Sequence, residues 1–332
     1  MKMRKSNLLS IILLCFSLSV GAQGNYSAMY VFGDSLSDTG NLAAYLQSTG
    51  ELDPFEQLPF PYYQNRITNG PVAVDLVSEA LGLSIIPSLL GGTNYAVAGA
   101  KAGGDTLADL PAQLELFIVN HSIAGIPTIP SDALYIIYIG GNDVRKARGE
   151  IDIHNARNTI RSAADNIGHA VRTLIAMGAK HIMVVNSADI GKIPETLMAA
   201  EAGISWLPEL STWRTKQFNF RLFLTLLKVQ WETKTKIIQY NLFRHFNQML
   251  ENSAELGFTN TTQACFYSAQ LGQVPLPFNE ACLDGDFPNL YPNFEPFFFF
   301  DEIHPTARVH ALLGQDMLAK LADPLPVFAI VR

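Results

Sequence analysis

Short apolar runs that end in polar or glycine-rich turns, alternating with long amphipathic stretches, constrain this chain more than any other feature. Ala28–Phe32, Leu134–Ile139, His181–Val185 and Ile237–Tyr240 read as strands. Between them, Ile160, Ala163, Ala164, Ile167, Val171, Leu174 and Ile175 recur at three and four residues, and Gly178 closes the stretch after Met177. Thr212–Thr233 carries Trp213, Phe220, Phe223, Leu224, Leu227 and Trp231, an aromatic stripe expected to pack on the sheet. Leu242–Leu256 and Ala307–Leu321 are expected to be sheet-packing helices as well. This alternation predicts an α/β protein with a parallel sheet covered by helices.

Each predicted strand ends in "GDS", "GGND", "NSADIG" or "N". In open α/β sheets ligands bind at the carboxyl ends of the strands, so function is expected to gather at these four ends. The 332 residues, 48% of them hydrophobic, can bury a full core. No fixed-period repeat or low-complexity linker divides them, so a single domain is expected from 23 to 332. The proline-bearing segment Gln47–Asn69 reads as a surface excursion from it.

The first 22 residues have Lys2, Arg4 and Lys5, then an apolar run from Leu8 to Val20, then small residues up to Ala22. That is the order of a secretory signal peptide, and the apolar run is short for a membrane span. A secreted or periplasmic location follows as an expectation. Cleavage after Ala22 removes three cations and no anion, taking the formal charge from −7 to −10, with 20 Lys and Arg against 30 Asp and Glu. So acidic a protein is a poor nucleic-acid binder. Cys15 leaves with the signal. Cys265 and Cys282 remain, an even pair that export favours as a disulfide over two free buried thiols.

Four stretches supply groups with chemistry. "VFGDSLSDTGN" offers Ser35, "NYAVAGAKAGGD" offers Gly99, "YIGGND" offers Asn142, and "FFFFDEIHPTA" offers Asp301 and His304. Together they form a toolkit for acyl transfer. Ser35 needs a base to become a nucleophile. Among the seven histidines, His304 has a carboxylate three residues before it and a proline after it. Asp301 can hold the imidazole tautomer and stabilise the imidazolium. The backbone N–H groups of Ser35 and Gly99 and the side-chain amide of Asn142 are the candidate oxyanion donors. Each residue alone has a plainer reading, as a turn serine, a strand-end cap or a surface carboxylate. His121, His154, His169, His181, His245 and His310 read as structural. A metal site has no support: H-E-x-x-H is absent, and the cysteines and histidines lack zinc-ligand spacing.

The four stretches resemble, in order, the four blocks of the GDSL lipase/esterase family of SGNH hydrolases, with Ser35, Gly99, Asn142 and His304 on the residues that give the superfamily its letters. "NRITNGPVAVDLVSEALGL" resembles the family's "GRFSNG" element and the helix after it, and "LFRHFNQMLENSAELGFTNTTQAC" resembles the segment before its first cysteine. The resemblance runs from about Met29 to Ala319. It implies a flavodoxin-like three-layer α/β/α sandwich with a central, mostly parallel sheet. It also implies catalysis through an acyl-serine with neither metal nor organic cofactor. The chain independently lacks the G-x-S-x-G elbow of α/β-hydrolases.

Phe266, Tyr267, Phe278, Phe287, Tyr291, Phe294 and Phe297–Phe300 crowd the segment before His304. Part is expected to be strand and core, and the rest to wall an acyl groove. With export, this favours lipid-like esters, in keeping with the family's phospholipase A, lysophospholipase and glycerophospholipid:cholesterol acyltransferase members. The expected partners are an ester or lipid substrate and, transiently, a membrane or micelle surface. The interior of the Cys265 to Cys282 loop, "FYSAQLGQVPLPFNEA", is expected either to be a stapled surface loop or to act as a lid that an exported protease could nick. The competing functions are a short-chain or carbohydrate esterase on the same fold and a non-catalytic secreted binding module.

Overall fold

The computed structural model describes residues 26–51, 61–123, 126–268, 277–286 and 289–322. The expected signal peptide, residues 269–276 of the expected lid and Phe287 lie outside the described residues. The central sheet consists of β1 (Met29–Gly33), β2 (Leu134–Tyr138), β3 (His181–Val185) and β4 (Ile237–Tyr240), parallel and hydrogen-bonded in that order. Every residue of β1 and β2 is buried, which is why these strands read as unbroken apolar runs. Residues 93–97 lie along the free edge of β1. Val31 N–H donates to the Thr93 carbonyl at 3.1 Å, Tyr95 N–H to Val31 at 2.7 Å and Val97 N–H to Gly33 at 3.2 Å. This edge segment takes the place of the strand second in chain order, giving the 2-1-3-4-5 order of the flavodoxin-like fold.

From β1 the chain goes outward to the edge through α1 (Asn41–Thr49) and α2 (Ala73–Ala80). It then returns across the sheet through α3 (Leu110–Asn120), α4 (Gly141–Gly149), α5 (Ile153–Ala176), α6 (Pro194–Glu201) and α7 (Leu207–Thr233). Right-handed crossovers in opposite directions place helices on opposite faces. Accordingly α3, α5 and α7 pack together on one side, while α2 packs against α9 (Ala307–Ala322) on the other. Helix α8 (Leu242–Glu251) follows β4 directly. The helix predicted around Ile160 begins at Ile153 because the Asp152 side chain accepts the His154 N–H and caps it.

Helix α7 departs from expectation. Its buried face is Ser211, Arg214, Thr215, Phe218, Leu222, Leu226 and Val229, whereas Trp213, Phe220, Leu224 and Trp231 face outward. Periodicity identified a real stripe but could not say which side of the helix the sheet would take. Beyond α8, β5 (Asn260–Ala264) pairs in parallel with β6 (Phe297–Phe299). Cys265 and Cys282 form a disulfide beside them, with Cα atoms 5.3 Å apart. No helix among the described residues is long and apolar enough to cross a membrane.

Candidate active site

β1 ends at Gly33, and the chain turns at once. Asp34 accepts the Leu36 N–H on Oδ1 at 3.1 Å, and its carbonyl accepts from Ser37 and Asp38. This Asx-type turn carries Ser35 to the end of the sheet. Amide side chains hold it there. Gln113 brackets Gly33, accepting its N–H at 2.9 Å and donating to its carbonyl at 2.8 Å. Asn94 donates to the Ser37 carbonyl at 2.7 Å, and Asn41 donates to the carbonyls of Asn94 and Ala96. Asp38 accepts the N–H groups of Gly40, Asn41, Leu42 and Ala98, locking the turn to the edge segment.

His304 comes from the other end of the chain, 269 residues from Ser35. Its Nε2 lies 2.7 Å from Ser35 Oγ, and its Nδ1 is 2.8 Å from both Asp301 oxygens. Asp301 Oδ1 also accepts the N–H groups of Ile303 at 2.8 Å and His304 at 2.7 Å. An acceptor-only carboxylate at Nδ1 selects the tautomer with its proton there, leaving the Nε2 lone pair to take the Ser35 proton. The turn is positioned by β6 and by the predicted excursion: Thr68 Oγ1 donates to the Pro305 carbonyl at 2.9 Å and Asn69 Oδ1 accepts the Ala307 N–H.

Asn142 sits at the start of α4, just past β2. One amide proton goes to the Ala100 carbonyl at 3.0 Å, and its Oδ1 accepts from Arg145 Nη1 at 3.2 Å. These contacts fix the amide orientation and leave the second Nδ2 proton uncommitted. Gly99 lies between two anchored neighbours, Ala98 on Asp38 and Ala100 on Asn142, and adopts φ +81°, a conformation that favours glycine. Among the described residues neither the Ser35 nor the Gly99 N–H has a hydrogen-bond partner. The structure thus places all five predicted site residues at the carboxyl end of the sheet. Ser35, Asp301 and His304 are in direct contact there.

Burial sets the electrostatics. It pushes the Asp34 carboxyl up to about 7, against the Leu36 N–H and the His304 charge, which pull it down. It also raises Asp143 to about 6, although the Ala102 and Gly103 N–H groups favour the carboxylate. His310 is driven down to about 3 by burial and by His304; it stays neutral and accepts the Ala73 N–H on Nδ1. No cluster of His, Cys, Asp or Glu among the described residues has a metal-binding arrangement.

A cleft opens beside Ser35 Oγ. Leu36, Ile190, Ile193, Leu242, Phe246, Ile303 and Leu313 wall it, with Asn142 and Arg145 as polar members. Among the described residues, none of the aromatics expected to build an acyl groove lines it. Phe266, Phe278, Phe294 and Phe300 instead stack on one another and on Tyr62, and Phe297–Phe300 are fully buried. That cluster joins the Asp301–His304 turn through Phe300, which immediately precedes it.

The GDSL-like Lipase/Acylhydrolase family model matches residues 29–317. The chain belongs to this family. Among its relatives, the phosphatidylcholine-sterol acyltransferase of Aeromonas hydrophila is 25% identical, the match covering 87% of this chain and 88% of that protein. Acetylajmalan esterase 2 of Rauvolfia serpentina is 26% identical, with 90% and 91% covered. Among solved structures, the acetylxylan esterase Axe2 of Geobacillus stearothermophilus aligns with a TM-score of 0.41 at 15% identity, covering 90% of this chain and 96% of that one.

Membership in the GDSL family makes the chain an esterase/lipase-type hydrolase. Several residues around its site escaped the sequence reading. Arg145 bonds Glu195 through Nε at 3.1 Å and Nη2 at 2.5 Å, and Arg148 joins the same carboxylate. Burial pulls Glu195 upward, but the two arginines outweigh it and hold it below the usual carboxylate range. A signal was present, since Arg145 stands one helical turn after Asn142. Asp34 was masked by its neighbour Ser35, and Gln113 sits in a helix with no motif around it.

Proposed function

We propose that this GDSL-family protein is an exported serine esterase that cleaves acyl esters of lysophospholipids or phospholipids. The observation that carries this reading is the cleft beside Ser35 Oγ, walled by Leu36, Ile190, Ile193, Leu242 and Ile303 and bordered by Arg145. The phosphatidylcholine-sterol acyltransferase of Aeromonas hydrophila, similar over most of its length, supports a phospholipid donor and acyl transfer to an alcohol as a further activity.

In this mechanism His304 Nε2 takes the Ser35 proton as Oγ attacks the ester carbonyl carbon. The N–H groups of Ser35 and Gly99 and the Asn142 amide receive the oxyanion. His304 then gives the proton to the departing alkoxide, leaving an acyl-serine and a free alcohol. Water, deprotonated by the same nitrogen, attacks the acyl-serine and releases the fatty acid; an alcohol in its place would accept the acyl group. Asp301 keeps the imidazole oriented throughout.

The test is fatty-acid release from lysophosphatidylcholine by the purified protein and its Ser35→Ala variant, with a short-chain ester as control. Release that vanishes in the variant supports the reading. Cleavage of the short ester alone moves the substrate to small or carbohydrate esters, and cleavage of neither overturns the catalytic assignment.

A further inference from the structure

The sheet accounts for the inner face of α7 and leaves the outer one unused. Trp206, at the N-terminus of the helix, then Trp213, Phe220, Leu224 and Trp231 follow one line at spacings of seven, seven, four and seven residues. Each is 43% to 74% exposed. At 1.5 Å per residue this line is about 38 Å long. Trp206, Trp213 and Trp231 are all the tryptophans the chain has. Exposed apolar surface of that extent marks an interaction site, and tryptophan is the residue that settles at the boundary between lipid headgroups and acyl chains.

The charge around the line points to an anionic partner. Helices α5 and α7, packed together on this face, carry seven Lys and Arg against three Asp and Glu, in a chain whose formal charge is −7. Arg214 is 4% exposed, and among the described residues no carboxylate pairs with it. Its guanidinium lies 4.7 Å over the Trp213 ring, Nη1 donates to Gln217 at 3.1 Å, and Nε has no partner. Burial, with the like charge of Arg157, holds its pKa below the ordinary guanidinium value. Arg214 belongs to the buried side of the helix, and its guanidinium backs the Trp213 ring through a cation–π contact. Lys234 Nζ lies 5.1 Å over Trp231 at the far end. A second copy of the chain is a poor occupant, because two-fold pairing along the stripe would set this cationic face against itself.

We propose that the outer face of α7 docks on an anionic phospholipid bilayer, with its tryptophans and Phe220 at the headgroup boundary and its arginines and lysines on lipid phosphates. The placement is relevant to the site. Thr212 Oγ1 donates to Asp189 at 2.7 Å, and Thr215 Oγ1 accepts the Ile190 N–H at 3.3 Å. Ile190 and Ile193 wall the catalytic cleft. Docking through the outer face of α7 therefore places a bilayer about one helix diameter, roughly 10 Å, from that wall. The surface does not depend on which ester is cleaved, and it is tested without turnover.

The experiment uses the full protein carrying Ser35→Ala, mixed with vesicles of phosphatidylcholine with or without phosphatidylglycerol. Because every tryptophan lies on the stripe, intrinsic fluorescence reports this face alone. The expected result is a blue shift and quenching by brominated lipid with phosphatidylglycerol vesicles, both suppressed by salt. Binding should weaken about tenfold or more in Trp213→Gln/Phe220→Gln and in Lys216→Glu/Lys228→Glu. The same substitutions with Ser35 restored should hydrolyse a water-soluble short ester at the unchanged rate, showing that they fold. Absence of the blue shift, or binding undiminished in both variants, overturns the proposal. So does a solution dimer that the stripe variant dissociates, which would make the face a contact between copies.

Discussion

Replacing Asp34 by Asn tests whether the residue next to the nucleophile is held as a buried acid at a cost to stability. In the folded protein this carboxyl is raised to about 7 from 3.8, mainly by burial. Between pH 4 and 7 the unfolded chain therefore loses the Asp34 proton while the folded chain keeps it. The folded state binds more protons in this window, so this residue makes stability fall as pH rises through it. A shift of roughly three units at about 1.4 kcal/mol each caps the effect near 4 kcal/mol, and water reaching the ionised carboxylate would reduce it to about 2. Asparagine is nearly isosteric, keeps an oxygen for the Leu36 N–H and cannot ionise. Urea unfolding at pH 5 and at pH 8 measures the difference. Wild type should lose about 1 to 2.6 kcal/mol more than Asp34→Asn between the two values, the contributions of Asp143 and all other groups being common to both. Parallel pH dependence in the two proteins would refute the reasoning and place the Asp34 charge in contact with water.

Further outcomes follow from the geometry. Asn142→Ala should lower kcat about 10² to 10³-fold with little change in KM, measured on a short ester; full activity would remove Asn142 from the oxyanion site. Gly140→Ala places a methyl group 2.4 Å from the Phe218 ring at φ +124°. It should destabilise by about 2 to 3 kcal/mol in urea unfolding, and a stability equal to wild type would contradict the tight packing beneath Asn142. Replacing Cys265 and Cys282 together by Ser opens a loop with a sequence separation of 17. Loss of about 3 kcal/mol is expected, seen as a lower midpoint in urea, whereas an unchanged midpoint would show that the loop constrains the unfolded chain little.

The sheet was legible because its strands are buried on both faces and stand out as unbroken apolar runs ending in polar turns. The edge segment 93–97 was not, since it meets the sheet only through β1 and its other bonds, to Asn41 and to residues 86–88, come from side chains and loop backbone that carry no strand signal. The site was legible where a residue type is chemically required, as with Ser35, Asp301 and His304. The residues that hold it, Gln113, Asn94 and Arg145, are ordinary polar residues until the fold brings them within bonding distance. Two expectations failed for related reasons. Hydrophobic period places the stripe of α7 on one face of the helix without saying which face meets the sheet. Aromatic content likewise marks a cluster near His304 without saying on which side of it the cluster lies.

The contact between Ser35 and His304 spans 269 residues. Joining the two groups requires the intervening sheet to be complete and the turn before α9 to be docked on Thr68 and Asn69. A nascent chain that has emerged only through β4 can form the whole four-stranded sheet and still lacks His304, the proposed base. Hydrolytic power therefore arrives in one late step of synthesis, and a partly made chain is harmless to any ester it meets.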